Sequence, residues 1–313
     1  TAFLINIPIS IMIIILMYFL PKSSISDTKI KIFDIMIFSV IIILSTYLIS
    51  EYNGIDFSDL IIILILLVLS SLFVARILKK QQNFIPNELL NYKSFMTSSF
   101  IHFFVGASLI VIMVTIPLSA STIHEMENLE IGLSLLNLTL FIGVGSILGI
   151  FISKLSNFMA LIISGCICSI GIFLYSLNIS KPPDELFFIF MIIGLGFGIY
   201  IVPIHNAGLN KIPEKIRGIS SSMISFSRMI GMIFGLSIIT TFGTARFSEL
   251  VSGVQIFTTN TNDQKEMIES INLAGLSVFE ELIFGALIFS LLALFITILS
   301  YYYYYTDTTD ATA

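Results

Sequence analysis

The chain has 313 residues, 56% of them hydrophobic and only 11% charged, with a mean hydropathy of +1.01 and a formal net charge of −5. Soluble domains carry about 25% charged residues, so this chain cannot cover a water-exposed surface and reads as an all-α polytopic membrane protein. No polybasic run points to nucleic acid or to docking on anionic lipid, and Cys166 and Cys168, two apart in an apolar run, offer neither zinc spacing nor a disulfide framework. Neither a metal nor a cofactor is expected.

Segments of about 17–25 mostly apolar residues are long enough to cross a bilayer. Nine qualify: 2–20, 33–49, 60–78, 95–118, 132–152, 158–177, 186–205, 219–243 and 279–303. The first, "TAFLINIPIS", has no basic leader and no cleavage site and reads as the entry into a spanning helix. The chain is therefore expected to be a fragment lacking its N-terminal part. An odd number of spans, unusual for a bundle of paired repeats, points the same way.

Span 95–118 carries His102, with Ser98, Ser99 and Gly106 on adjoining faces, and His102 is a candidate for a cavity role. Thr115 and, in 132–152, Asn137 are further intramembrane polar groups; such residues more often bond between helices than hold ligands. Asn137 and Tyr200 are kept as cavity candidates. Span 186–205 holds Gly194 and Gly198 at i,i+4 with Gly196 between, and Pro203 is expected to break the helix near one end. His205 and Asn206 follow at the membrane edge, where a solvated interfacial histidine is expected.

Span 219–243 contains Arg228 near its middle. An arginine there costs roughly 2.5–3.5 kcal/mol on insertion scales, against roughly 0.3–0.6 kcal/mol returned by each Leu, Ile or Phe. Insertion is marginal unless the guanidinium finds a neighbour or water. A rotation of 100° per residue puts Ser221, Ser225, Arg228, Gly231 and Gly235 within about 60° of one line, so Arg228 lies on a small, polar stripe. Gly231 and Gly235 let another helix approach closely. Two roles stay open for Arg228: an anchor for a neighbouring helix, or a cavity charge that meets substrate or follows a protonation event. The stretch 244–278 reads as an exposed loop with a possible surface helix.

Lys and Arg placement sets the orientation. Lys22, Lys29, Lys31, Arg76, Lys79, Lys80, Lys93, Lys154, Lys211, Lys215 and Arg217 fall on one side, expected to be cytoplasmic; Lys181, Arg246 and Lys265 fall on the other. No Asp or Glu lies deep in any span: Asp34, Glu280 and Glu281 all sit near expected helix ends. A proton-coupled carrier needs a titrating group in the membrane, so coupling is expected to rest on His102 or on a portion of the protein outside this sequence. No HExxH, Walker A or GxSxG motif supports an enzyme.

Gly194, Gly196, Gly198 and Pro203, then Pro213, Arg217 and Gly218, then Arg228, Gly231 and Gly235 follow one another in an order that resembles the major facilitator superfamily. The likeness is greatest to its fourteen-helix drug:proton antiporters. The loop signature of that family falls on "GIFISKLSN" and keeps only Gly149 and Lys154, so no charge relay is assigned there. The resemblance implies that 1–20 is the last helix of an N-terminal six-helix domain, 21–94 two inserted helices and a linker, 95–305 a C-terminal six-helix domain and 306–313 a tail. It further implies a bacterial plasma-membrane carrier that exchanges protons for small-molecule substrates, with multidrug or antiseptic efflux and antibiotic resistance as its biology. The missing N-terminal half of the same chain and the lipid bilayer would be its partners. A carrier of an anionic metabolite clamped by Arg228, and a remnant without transport activity, are the alternatives.

Overall fold

The computed structural model describes residues 6–17, 19, 32–50, 57–79, 86, 88–252 and 261–309. Nine α-helices are described: α1 (Asn6–Met17), α2 (Ile32–Ser50), α3 (Phe57–Leu78), α4 (Lys93–Thr122), α5 (Asn128–Leu155), α6 (Asn157–Ser176), α7 (Phe187–Gly208), α8 (Glu214–Val251) and α9 (Thr261–Thr309). No strand occurs among the described residues. Eight of them, α2 to α9, are long and apolar enough to cross a membrane. A helix satisfies every backbone group within itself, which hydrocarbon demands. Of the residues used for orientation, Lys22, Lys29, Lys31 and Lys80 lie outside the described residues, as do most of the 21–31 and 80–87 connectors and the tail from 310.

Local chemistry sets the ends. The Ser156 side chain accepts from the Met159 amide at 3.3 Å to start α6, and Glu127 and Glu130 form a reciprocal capping box at the start of α5. Pro213 directly precedes α8. The turn from α7 into α8 passes through Lys211 at φ 63°, and an Arg217 terminal nitrogen donates to the Ile212 carbonyl at 3.2 Å.

The helices from α4 onward form one bundle with an exchanged arrangement. α4, first of the triplet α4–α5–α6, packs mainly on α8 and α9; α7, first of the triplet α7–α8–α9, packs mainly on α5 and α6. α4 also meets α7, and α6 meets α9. Each triplet thus inserts its leading helix into the other, the pattern an internal structural repeat produces. Because lipid tails are as apolar as Leu, close packing and interhelical hydrogen bonds hold such a bundle. Ser169 and Ser290 share a hydrogen bond of 2.9 Å between α6 and α9, and Ser108 donates to the Ala286 carbonyl at 2.8 Å between α4 and α9. α2 and α3 pair with each other, and α2 reaches α8 through Phe38 and Phe226, with ring centroids 5.9 Å apart.

Two expectations are corrected. The exposed loop expected over 244–278 is largely helical: α8 runs to Val251 and α9 begins at Thr261. Hydropathy marks the part of a helix that meets lipid, while Glu, Met, Lys and Ala continue the helix into water on propensity alone. Glu280 and Glu281 consequently stand well inside α9 rather than at its start. Pro203 does not end α7, which continues to Gly208 with the proline buried inside it. The neighbours packed around that turn tolerate the lost bond.

Candidate functional site

α4, α7 and α8 converge on the small, polar stripe of α8. A Cβ on Gly231 would run into the Phe103 backbone carbonyl, and one on Gly235 would stand 2.8 Å from the Ala107 carbonyl oxygen. Reciprocally, Gly106 lies under the backbone carbonyl and Cγ of Arg228. α4 and α8 therefore run in the same direction in backbone contact, with the Arg228 stem laid across α4 at Gly106, one turn beyond His102.

His102 is 1% exposed, and its Nδ1 lies 3.0 Å from the Ile224 carbonyl of α8. A carbonyl only accepts, so this nitrogen carries the hydrogen and Nε2 is the acceptor in the neutral ring. The His205 ring of α7 meets it edge-on, with centroids 5.4 Å apart. Ser221 and Ser225 of α8 approach the two His205 nitrogens at 3.4 and 3.5 Å. His205, expected as a solvated interfacial residue, is only partly exposed and belongs to this cluster. The unbroken α7 carries it inward beyond Pro203. A signal for it existed in the sequence: Ser221 and Ser225, one turn apart, present hydroxyls to one partner.

Arg228 has no hydrogen bond or ion pair among the described residues, and its Nε is fully buried without an acceptor. The Ser99 hydroxyl of α4 is likewise buried and unpartnered. An unsatisfied buried donor costs about 1–3 kcal/mol, and more when charged. Among the described residues no carboxylate joins the cluster, and no group of three or more His, Cys, Asp or Glu suited to a metal occurs. The arrangement offers a fixed positive charge, two imidazoles able to exchange protons, and hydroxyls that donate or accept.

The other candidates lie apart. Tyr200 is 1% exposed on another face of α7, its hydroxyl against Gly165 of α6. Asn137 donates from Nδ2 to the Phe187 carbonyl at 3.1 Å, tying α5 to α7, while its Oδ1 is buried without a partner. Gly194, Gly198 and Gly149 all face the α5–α7 seam: Gly194 against the Leu138 carbonyl, Gly198 against Ile142 and Gly145, and Gly149 against the Ile199 carbonyl. The Lys154 ammonium stands 5.4 Å from the Phe151 ring centroid near the end of α5, and Arg217 closes the α7–α8 turn. Two apolar recesses between α4, α8 and α9, of about 590 and 330 Å³, share Ile239 and Leu282 and lie away from the histidines.

The model of the Major Facilitator Superfamily matches residues 1–236. Among similar proteins, the uncharacterized MFS-type transporter YhcA of Bacillus subtilis (strain 168) is 25% identical over 77% of this chain and 46% of its own length. Multidrug resistance protein 3 of the same organism is 27% identical over 68% of this chain and 40% of its own length. A triacylglyceride transporter of Mycobacterium tuberculosis (strain ATCC 25618 / H37Rv) is 25% identical over 48% of this chain and 31% of its own length. The chain thus spans less than half the length of these relatives. With a family match over some three quarters of its residues and a bundle of apolar helices to suit it, the chain belongs to the Major Facilitator Superfamily.

Proposed function

We propose that this chain forms part of a secondary active transporter that exports small amphipathic or cationic compounds in exchange for protons, with α4, α7 and α8 bordering the path. The observation that carries the reading is the His102–His205–Arg228 cluster where three helices meet: a buried imidazole, a half-buried one edge-on to it, and a half-buried guanidinium whose Nε is buried without an acceptor. Intramembrane ionisable groups are costly and mark ion or substrate routes. The names of the relatives add support, since drugs and triacylglycerides alike are cargoes with apolar bulk. On this reading the bundle from α4 to α9 rocks against a second bundle, in the way repeat-built carriers alternate access. Proton occupancy of the histidines would then change the local charge around Arg228.

The test is transport by the intact protein in proteoliposomes under an imposed pH gradient. A lipophilic cation should move against its gradient, stop when an uncoupler collapses the pH difference, and move at a rate sensitive to His102 and Arg228. Transport indifferent to the pH gradient would remove the antiport reading. A second reading, an anionic cargo, is favoured by one observation: Arg228 has no counter-ion among the described residues. Organic anions assayed beside lipophilic cations in the same vesicles decide between them.

A further inference from the structure

The α2–α3 hairpin stands at the periphery and is apolar almost throughout, with few residues buried against the bundle. Its charges are segregated. Between Ile32 and Ala75 the sequence has no Lys or Arg, and it has Glu51, Asp56 and Asp59 between positions 50 and 60. Lys29 and Lys31 precede α2, and Arg76, Lys79 and Lys80 close α3. No polybasic run exists in the sequence; among the described residues Arg76 and Lys79 mark the end of α3 that lies beside the start of α2.

At that end a recess of about 540 Å³ is lined by Phe33, Ser71, Leu72, Ala75, Arg76 and Lys79. The Arg76 guanidinium is held from two sides. Its Nε donates to the fully buried Asp34 carboxylate at 2.7 Å, and its Cζ stands 5.2 Å from the Phe33 ring centroid. That bond uses one of five donors, and neither terminal nitrogen has an acceptor among the described residues. Lys79, one turn on, is exposed and its ammonium has no partner among the described residues. A fixed guanidinium with free terminal donors, an exposed ammonium beside it and apolar walls of Leu72, Ala75 and Phe33 match one kind of ligand: a phosphate diester carrying acyl chains. Asp34 cancels one charge, so the recess keeps a net positive balance without exposing a buried, unpaired cation. Loops rich in Lys and Arg favour the cytoplasmic leaflet, where anionic lipids concentrate.

We propose that the recess between the start of α2 and the end of α3 binds the headgroup of an anionic phospholipid, with Arg76 and Lys79 on the phosphate and the hairpin faces along the acyl chains. The occupant is a lipid rather than a soluble phosphate because the walls beside the cations are apolar and belong to two apolar helices that are exposed over most of their length.

The test is native mass spectrometry of the intact protein in micelles doped with phosphatidylglycerol or with phosphatidylcholine. The wild type should retain phosphatidylglycerol preferentially. Lys79→Gln should weaken that retention roughly five-fold, the effect of one cation near an anionic surface, and Lys79→Glu should weaken it further. The double variant Asp34→Asn/Arg76→Gln removes both members of the buried pair together and should also lose the preference. Should the double variant fail to fold, the Lys79 variants carry the test. An unchanged preference for phosphatidylglycerol in both Lys79 variants overturns the proposal. So does equal displacement of the bound lipid by glycerol phosphate, which would identify a free-anion site.

Discussion

Arg228 and Arg246 stand on the same helix, 18 residues apart (246 − 228), which is five turns of 3.6 residues. They therefore point to the same side of α8, roughly 27 Å from each other along the axis. Their surroundings differ. Arg246 donates to Glu249 at 2.7 Å on its own helix and to Glu281 of α9 at 3.1 Å. Arg228 has two histidines, two serines and a glycine-lined seam nearby, but no acceptor for its Nε. One guanidinium is paired with two carboxylates near a helix end; the other, also half-buried, has no carboxylate partner among the described residues and a buried Nε without an acceptor. A charge that the fold itself satisfies needs no ligand, whereas one left unsatisfied at a helix junction is available to cargo, to a proton-linked change or to another part of the protein. The pair also shows why an arginine in an apolar helix cannot be read from sequence alone, since only its neighbours across the seam separate an anchor from a working charge.

The comparison breaks most severely if the seam that holds Arg228 is forced open. Gly231→Leu should abolish assembly, because its side chain would occupy the Phe103 carbonyl, while Gly143→Leu, with no atom within 4 Å of its Cβ position, should be tolerated. Size-exclusion profiles of the two variants in detergent check this. Arg228→Ala comes next: transport per molecule should fall at least ten-fold, about 1.4 kcal/mol, with normal abundance. If abundance falls instead and transport per molecule holds, Arg228 is the same kind of anchor as Arg246. Arg228→Lys then tests whether the planar fork itself matters.

His102 sharpens the contrast with a smaller effect. Asn at 102 places an amide donor near the position of Nδ1 and should preserve the bond to Ile224, and with it thermal stability, whereas Ala should lose both. Transport driven by a pH gradient should drop several-fold in both variants, because neither side chain exchanges a proton. Full rescue of transport by Asn would reduce the histidine to a positioning bond. The smallest effect belongs to Arg246→Gln. Partly exposed ion pairs contribute little, so transport should stay near wild type and the melting temperature should fall only slightly.

Several features were legible in the chain alone. Apolar length located eight of the nine expected spans, those from 33–49 onward, because the thickness of hydrocarbon sets it; the first, 2–20, lies partly outside the described residues, where α1 covers Asn6–Met17. The spacing of Ser221, Ser225, Arg228, Gly231 and Gly235 fixed the stripe on α8, because helical geometry does. The long ends of α8 and α9 were not legible from hydropathy, which is silent where a helix leaves lipid. The place of His205 was missed because Pro203 suggested an end to α7 that packing overrides. The segregation of basic residues around the α2–α3 hairpin was visible as a list of positions, but not as a recess.

By itself, the sequence determined that this chain is a membrane protein, which segments from residue 33 onward are long and apolar enough to cross a bilayer, and which face of α8 is small and polar. These follow from composition and periodicity, both local properties of the chain. Only the tertiary structure decided which charges are compensated: that Asp34 meets Arg76, that Glu281 meets Arg246 and that Arg228 lies within electrostatic reach of His102 and His205. Partners separated by tens to hundreds of residues are brought together by the packing of whole helices, and in a medium of low dielectric that pairing decides what each charge can do.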